Sequence, residues 1–140
     1  MPHRQYAARP RRRARTSRRT AHGGASLRLT APAGGPSLQI SIWKPQPRDV
    51  FAGLIAEERR DAGLAGYRRI RIEALRGSAG AVWEYTHRDP AAGPMRTLEH
   101  VMDRGGYTYR IQWRAPRADW PAGLQMLDVV LGSFGPRPAA

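Results

Sequence analysis

Hydrophobic and polar residues alternate in six short runs along this chain and recur at helical spacing in two more. Ser26 to Thr30 alternates, Ala31 to Pro36 is a Pro/Gly turn, and Leu38-Gln39-Ile40-Ser41-Ile42-Trp43 alternates again, a pattern that predicts a β-hairpin. From Asp49 to Ala62, Val50, Phe51, Leu54 and Ile55 share one side of a helix with charges opposite; Asp49 is placed to cap it, and Gly63 and Gly66 to end it. Four more alternating runs follow, Tyr67 to Leu75, Ala81 to Arg88, Met95 to Asp103 and Tyr107 to Arg114, joined by short glycine-bearing segments. Such connections predict an antiparallel meander. A last helix opens with Asp119 as cap and Pro121 in its first turn, carrying Trp120, Leu124, Leu127, Leu131 and Phe134 at spacings of four, three, four and three. The order β-β-α-β-β-β-β-α predicts an α+β fold, an antiparallel sheet of about six strands with two helices packed on it.

Composition divides the chain unevenly. Its 140 residues suffice for one domain, and 41% hydrophobic with 25% charged residues is ordinary for a globular protein. Yet eight of the 24 basic residues are arginines between Arg4 and Arg19, where no acid occurs, so the formal charge of +13 falls to +5 beyond them. Residues 1–24 hold Tyr6 as their single large apolar side chain, too little burial to offset the entropy of ordering, and are expected to be an unfolded arginine-rich tail. The domain is expected over 25–136, with 137–140 unfolded behind it. Lys44 is the one lysine, and Ala, Arg, Gly and Pro make up half the chain. That bias accounts for arginine in place of lysine without any phosphate recognition. With no cysteine, disulfides, thiolate metal sites and thiol nucleophiles are excluded. The paired arginines resemble a twin-arginine export signal, but Ala21 to Pro36 offers only Leu27 and Leu29 where such a signal needs an apolar stretch.

The runs AVWEYTHRD and LEHVMDRGGYTYRIQWRAP, the strand GYRRIRIE, and a Trp-led helix finishing LGSFGP resemble the PsbP-like domain that actinobacteria place outside the membrane, in lipoproteins and at the C-terminal end of membrane-anchored serine/threonine kinases. The likeness covers roughly Leu27 to Pro136. It implies an α/β/α sandwich without established catalytic residues, used for binding or sensing, and hence a non-enzymatic module without cofactor. Its implied partners are a protein, a cell-wall fragment or another small ligand, and its implied setting is extracytoplasmic or membrane-anchored. Such relatives carry one more strand ahead of the run at Ser26, where the arginine tail stands here.

Three constellations carry candidate chemistry. His87-Arg88-Asp89 spells the kinase catalytic-loop signature, but Pro94 occupies the position of its magnesium-binding Asn and no glycine-rich loop, strand lysine or DFG accompanies it. Pairing the strands about their turns puts Ile72, Trp83, His100 and Ile111 in one row and Ile70, Tyr85, Leu98 and Trp113 in the next, a face that reads as the core, with Trp83 and Tyr85 as the candidate floor of a ligand pocket. His100, alone among those rings, reads as a hydrogen-bonded core histidine before it reads as a base. On the opposite face the same register sets Arg71 beside Glu84, Glu84 beside Glu99, and Glu99 beside Gln112, with Arg110 and Arg114 diagonal. Paired carboxylates can form an acid/base couple, but flanking arginines make a cross-strand ion network on an exposed face the simpler reading. No histidine has metal-ligand spacing, so no metal is assigned.

The expectation is therefore a non-catalytic binding module, with Trp83, Tyr85, Glu84, Glu99, Arg71 and Arg110 as candidate ligand contacts. The alternative is binding of nucleic acid or an anionic surface through Arg11, Arg12, Arg13, Arg15, Arg18 and Arg19. On that alternative, a gel-shift titration finds sequence-independent DNA binding that weakens with salt at a logarithmic slope near −0.9 per phosphate contacted. It vanishes when residues 1–20 are deleted; undiminished binding by the shortened chain would discard the tail as the cause.

Overall fold

The computed structural model describes residues 14–16, 24–30, 35–44, 49–76 and 79–133. The six expected strands are β2 (Ala25–Thr30), β3 (Ser37–Trp43), β4 (Arg68–Leu75), β5 (Gly80–Asp89), β6 (Gly93–Arg104) and β7 (Tyr107–Pro116), and the helices are α1 (Val50–Asp61) and α2 (Trp120–Ser133). A seventh strand, β1 (Ala14–Thr16), lies inside the stretch expected to be unfolded and pairs with β2. Main-chain hydrogen bonds need no apolar side chain, so composition did not reveal it. All neighbours are antiparallel, in the order β1-β2-β3-β7-β6-β5-β4.

Local chemistry sets the turns. Asp49 caps α1 by accepting the Ala52 N–H at 2.8 Å. Gly105 and Gly106, both at positive φ, form the two-residue loop that joins Arg104 to its partner Tyr107. Between β5 and β6, Asp89 pairs with Gly93 across three residues; its carboxylate accepts the N–H groups of Ala91 and Ala92 at 2.9 Å each, and Gly93 sits at φ 76°. Closing the hairpin there pairs Trp83 with Glu99 and Glu84 with Leu98. This is one residue away from the register expected, and such a slip turns one strand's faces over relative to the other's. The β6–β7 register matches expectation, with His100 opposite Ile111 and Glu99 opposite Gln112. In β4, Arg71 and Ile72 face Glu84 and Trp83 as expected, but a bulge between Arg69 and Arg71 sets Arg69, not Ile70, opposite Tyr85. Ile70 is consequently 44% exposed and is not a core residue.

The register also replaces the single core face with two. Leu54 of α1 packs with Ala81, Trp83, Tyr85 and Val101 on one side, supported by Val50, Phe51, Tyr67 and Ile72. Trp120 and Leu127 of α2 pack with Leu38, Val82, Leu98, Ile111, Trp113 and Ala115 on the other. One helix covers each face, an α/β/α sandwich. Strand β5 is buried from Gly80 to Tyr85 because alternate residues enter opposite cores. His100 lies beside Val82 and Ile111 and so on the face away from Trp83 and Tyr85; burial pulls its pKa down. The α2 stripe is narrower than its spacing implied, since Leu124 is exposed, while Phe134 and residues 137–140 lie outside the described residues.

Helix α2 reaches Trp113 because position 123 is glycine. A Cβ there would stand 2.1 Å from the indole Cζ2 and 2.7 Å from Cε2, in a core with no slack. Gly123→Ala is expected to destabilise the fold by about 1–3 kcal/mol, the cost of overpacking, seen as a lower urea midpoint at unchanged slope. Gly132→Ala, in the same helix with nothing within 4 Å, serves as the control and leaves the midpoint unchanged or raises it.

Candidate functional site

The slip in the β5–β6 register separates the residues that the sequence had put together. Glu84 faces α2, is 5% exposed, and takes hydrogen bonds from Arg71 Nε at 3.3 Å and Arg96 Nη2 at 3.0 Å. Glu99 faces α1, is 4% exposed, and accepts from Gln112 Nε2 at 2.8 Å, with Arg110 Nη1 at 3.3 Å. The carboxylates are thus on opposite sides of the sheet, each ion-paired, and cannot act on one bond as an acid/base couple. Nor is their network the exposed ladder expected. Arg110 also bonds Glu57 of α1 and lies over the Trp43 ring, so this cluster fastens helix to sheet. Burial raises the Glu99 pKa against the opposing pull of Arg110 and Gln112.

Trp83 and Tyr85 stack with centroids 4.4 Å apart but are interior, at 0% and 6% exposure, so they are core rings and not a pocket floor. Trp83 Nε1 donates to Tyr67 Oη at 3.1 Å. Tyr67 in turn donates to Glu58 Oε1 at 2.6 Å, and Arg69 Nε donates to the same oxygen at 2.5 Å. Arg69, then Tyr67, hold the Glu58 carboxyl below its usual pKa, while burial first and the bond to Glu58 second push Tyr67 up to about 12. Glu58 is therefore a buried acid on α1 that anchors the start of β4.

The His87-Arg88-Asp89 run is structural. Asp89 closes the hairpin and bonds Arg114 Nη2 at 2.7 Å, and the Ala92 and Ala91 N–H groups keep its pKa low. Buried His87 approaches the same Arg114 nitrogen at 3.3 Å; burial first and that cation second depress its pKa, favouring the neutral ring. Among the described residues no three His, Asp or Glu side chains are grouped to hold a metal. Of the tail arginines, Arg11, Arg12, Arg13, Arg18 and Arg19 lie outside the described residues, and Arg15 pairs through its main chain with Arg28.

A pocket of about 440 Å³ opens instead at the β4 side of the α2 face, lined by Arg68, Arg69, Ile70, Thr86, Arg96, Arg117, Trp120 and Pro121. Its floor is a cross-strand row, Arg68 of β4, Thr86 of β5 and Arg96 of β6. The far wall is a short 3-10 helix, Arg117–Asp119, continuous with Trp120 and Pro121 of α2. The bulge in β4 supplies Ile70. Of the four arginines, Arg69 turns its guanidinium to Glu58 on the α1 side, and that of Arg96 is held between Glu84 and the Trp120 ring, 4.6 Å from its centroid. The side chains of Arg68 and Arg117 make no hydrogen bond or ion pair with another described residue, and no described acid lines the pocket. Positive charge gathered in a concave, partly apolar site is the arrangement that receives an anion.

Of the six ligand-contact candidates read from the sequence, none lines this pocket; Arg71 approaches it only through Glu84, which also holds Arg96. Arg68, Thr86, Arg96, Arg117 and Trp120 were not among the candidates. Alternation in β4, β5 and β6 could have put the first three on one side, but not in one row without the register, and nothing local brings Arg117 to them.

The profile of the family described as "Serine/threonine kinase C-terminal domain" matches residues 15–136, beginning within the stretch expected to be unfolded. Among the solved structures that share the fold are two proteins. One is a Pseudomonas aeruginosa protein of unknown function considered a candidate regulator, with TM-score 0.60 and 17% identity over 86% of this chain and 87% of that one. The other is the cyanobacterial PsbP protein of Synechocystis, solved in solution, with TM-score 0.56 and 14% identity over 86% and 78%. No sequence among the curated proteins matches.

Glu58 yields a pH-dependent outcome. Its folded pKa is lowered, so the stability it contributes is present above pH 4.5 and is lost as pH falls through the folded value. Glu58→Gln is expected to lower unfolding free energy by about 1–2 kcal/mol at pH 7, a modest figure because Arg69 is half-exposed. Urea unfolding of both proteins across the acid range should show the difference closing toward low pH; a constant difference would mean that the carboxylate charge is not what anchors β4.

Proposed function

Because the chain belongs to the family of serine/threonine kinase C-terminal domains and has the PsbP-like sandwich fold, we propose that it is a non-catalytic accessory module that binds an anionic ligand in the pocket between β4 and α2. The pocket carries this reading: four arginines from β4, β6 and the 3-10 helix border one cavity without a described acid, and the side chains of two of them have no partner among the described residues. A guanidinium held against a carboxylate serves structure. Two without a partner, beside an indole and an exposed isoleucine, can recognise a ligand that is partly charged and partly apolar.

The non-catalytic half of the reading rests on the titratable groups. Glu84, Glu99, Glu58 and Asp89 are all engaged in ion pairs, and His87 has Arg114 beside it. None of them lines the pocket beside β4, so no described acid or base is placed to act on a ligand held there. The family membership supports the same view, since this is a domain appended to kinases and not the kinase itself. Regulation of an attached or neighbouring protein by an anion bound at this pocket is the role we infer.

Saturable binding of organic anions is expected, followed through tryptophan emission because Trp120 forms the wall, and weakening as salt is raised. Arg68→Ala and Arg117→Ala should each reduce affinity about tenfold, the loss of one charge-assisted contact, with thermal stability unchanged. No saturable binding of sulfate, citrate or aryl carboxylates, or equal affinity in the double variant, would remove the pocket as the site of function.

A further inference from the structure

Accepting that anion-binding reading, we propose that the pocket is specific for a phosphate monoester. The charge count is the first argument. Arg69 and Arg96 are already balanced by Glu58 and Glu84, leaving Arg68 and Arg117 as two cations without described partners. A carboxylate or sulfate ester brings one negative charge to that pair. A phosphate monoester brings close to two at pH 7, with three acceptor oxygens.

Geometry is the second argument. Arg68 rises from the sheet floor and Arg117 from the 3-10 helix on the opposite wall, so their forks meet an anion from two directions. A phosphate monoester has three free oxygens, enough for both forks and a further donor, whereas the two oxygens of a carboxylate are used up by the two forks. Thr86 lies in the floor row between Arg68 and Arg96 and offers a hydroxyl that can donate to a further oxygen. Arg96 is kept in place from two sides, by Glu84 below and by the Trp120 ring, so it meets the anion with its rotamer already fixed.

The third argument is what surrounds the charge. A cavity of about 440 Å³ holds more than a bare tetraoxyanion, and Ile70, Trp120 and Pro121 give it an apolar side. Ile70 is presented there because the β4 bulge takes it out of the core. The ester therefore carries an organic group that lies against these three residues. The source of that group, a phosphorylated peptide or a small phosphate ester, is a question for the titration.

The test uses the full chain and matched probes, phenyl phosphate, phenyl sulfate and benzoate, titrated calorimetrically at pH 7.5 and pH 5. Phenyl phosphate is expected to bind at least tenfold more tightly than the other two at pH 7.5. That advantage should shrink at pH 5, because the ester takes up a proton with a pKa near 6, while the phenyl sulfate affinity stays flat. Arg68→Ala/Arg117→Ala should abolish the preference; Arg117→Lys, which keeps charge but not the fork, should retain part of it. Tighter binding of a phosphothreonyl peptide than of glucose 6-phosphate and inorganic phosphate would support a protein-borne ester, and the reverse a metabolite. Equal binding of phenyl and inorganic phosphate would overturn the role given to Ile70 and Trp120. Phenyl sulfate or benzoate binding as well as phenyl phosphate would overturn the phosphate specificity while leaving an anion pocket, whereas no binding of any probe would overturn both.

Discussion

The three-residue loop that Asp89 and Gly93 close is the constraint on which the rest of this sandwich depends. With Gly93 in the left-handed region and the Asp89 carboxylate taking two loop N–H groups, β5 and β6 lock with Trp83 opposite Glu99 and Glu84 opposite Leu98. That pairing decides which alternate residues of β6 meet α1 and which meet α2. It sends Trp83, Tyr85 and Val101 toward one helix and Val82 and Leu98 toward the other. It also distributes the two central carboxylates one to each face. A loop longer by one residue would oppose the two acids on one side of the sheet and turn the faces of one strand over against those of the other.

Each buried acid then holds a helix or a strand to the sheet through arginine. On the α1 face, Glu99, Arg110 and Glu57 connect β6, β7 and the helix, while Glu58 joins Tyr67 and Arg69 at the start of β4. On the α2 face, Glu84 gathers Arg71 and Arg96, and Arg96 continues onto Trp120. Burial alone would make these carboxylates costly, as the raised pKa of Glu99 records, and only the full set of partners makes them tolerable. The same arrangement uses up four of the arginines around the sheet. The two near the pocket that it leaves, Arg68 and Arg117, are what make the cleft beside β4 electropositive.

The fold was legible to a large extent. Strand and helix placement followed from alternation and from the Asp49 cap, and the β6–β7 register followed from the Gly105-Gly106 turn, whose two-residue geometry admits one pairing. The site was not legible. Glu84 and Glu99 are central, polar and two runs apart, so an adjacent pair was a fair expectation from periodicity. The error of one residue at the β5–β6 loop changed their relation from neighbours to opposite faces. The bulge at Ile70 likewise leaves no mark in a run that alternates without a break.

By itself the amino-acid sequence determined the elements, their antiparallel order and the family likeness, because these depend on local propensity, on turn chemistry and on side chains spaced two or 3.6 residues apart. Tertiary structure alone decided that Trp83 and Tyr85 are interior, that Ala14–Thr16 forms a seventh strand, and that Arg68, Arg96 and Arg117 share one pocket. The physical reason is the same in each case. Register and layer packing are long-range agreements between segments, reached by minimising buried charge and unfilled space together, and one residue of slip, invisible in local pattern, reassigns every contact across the sheet.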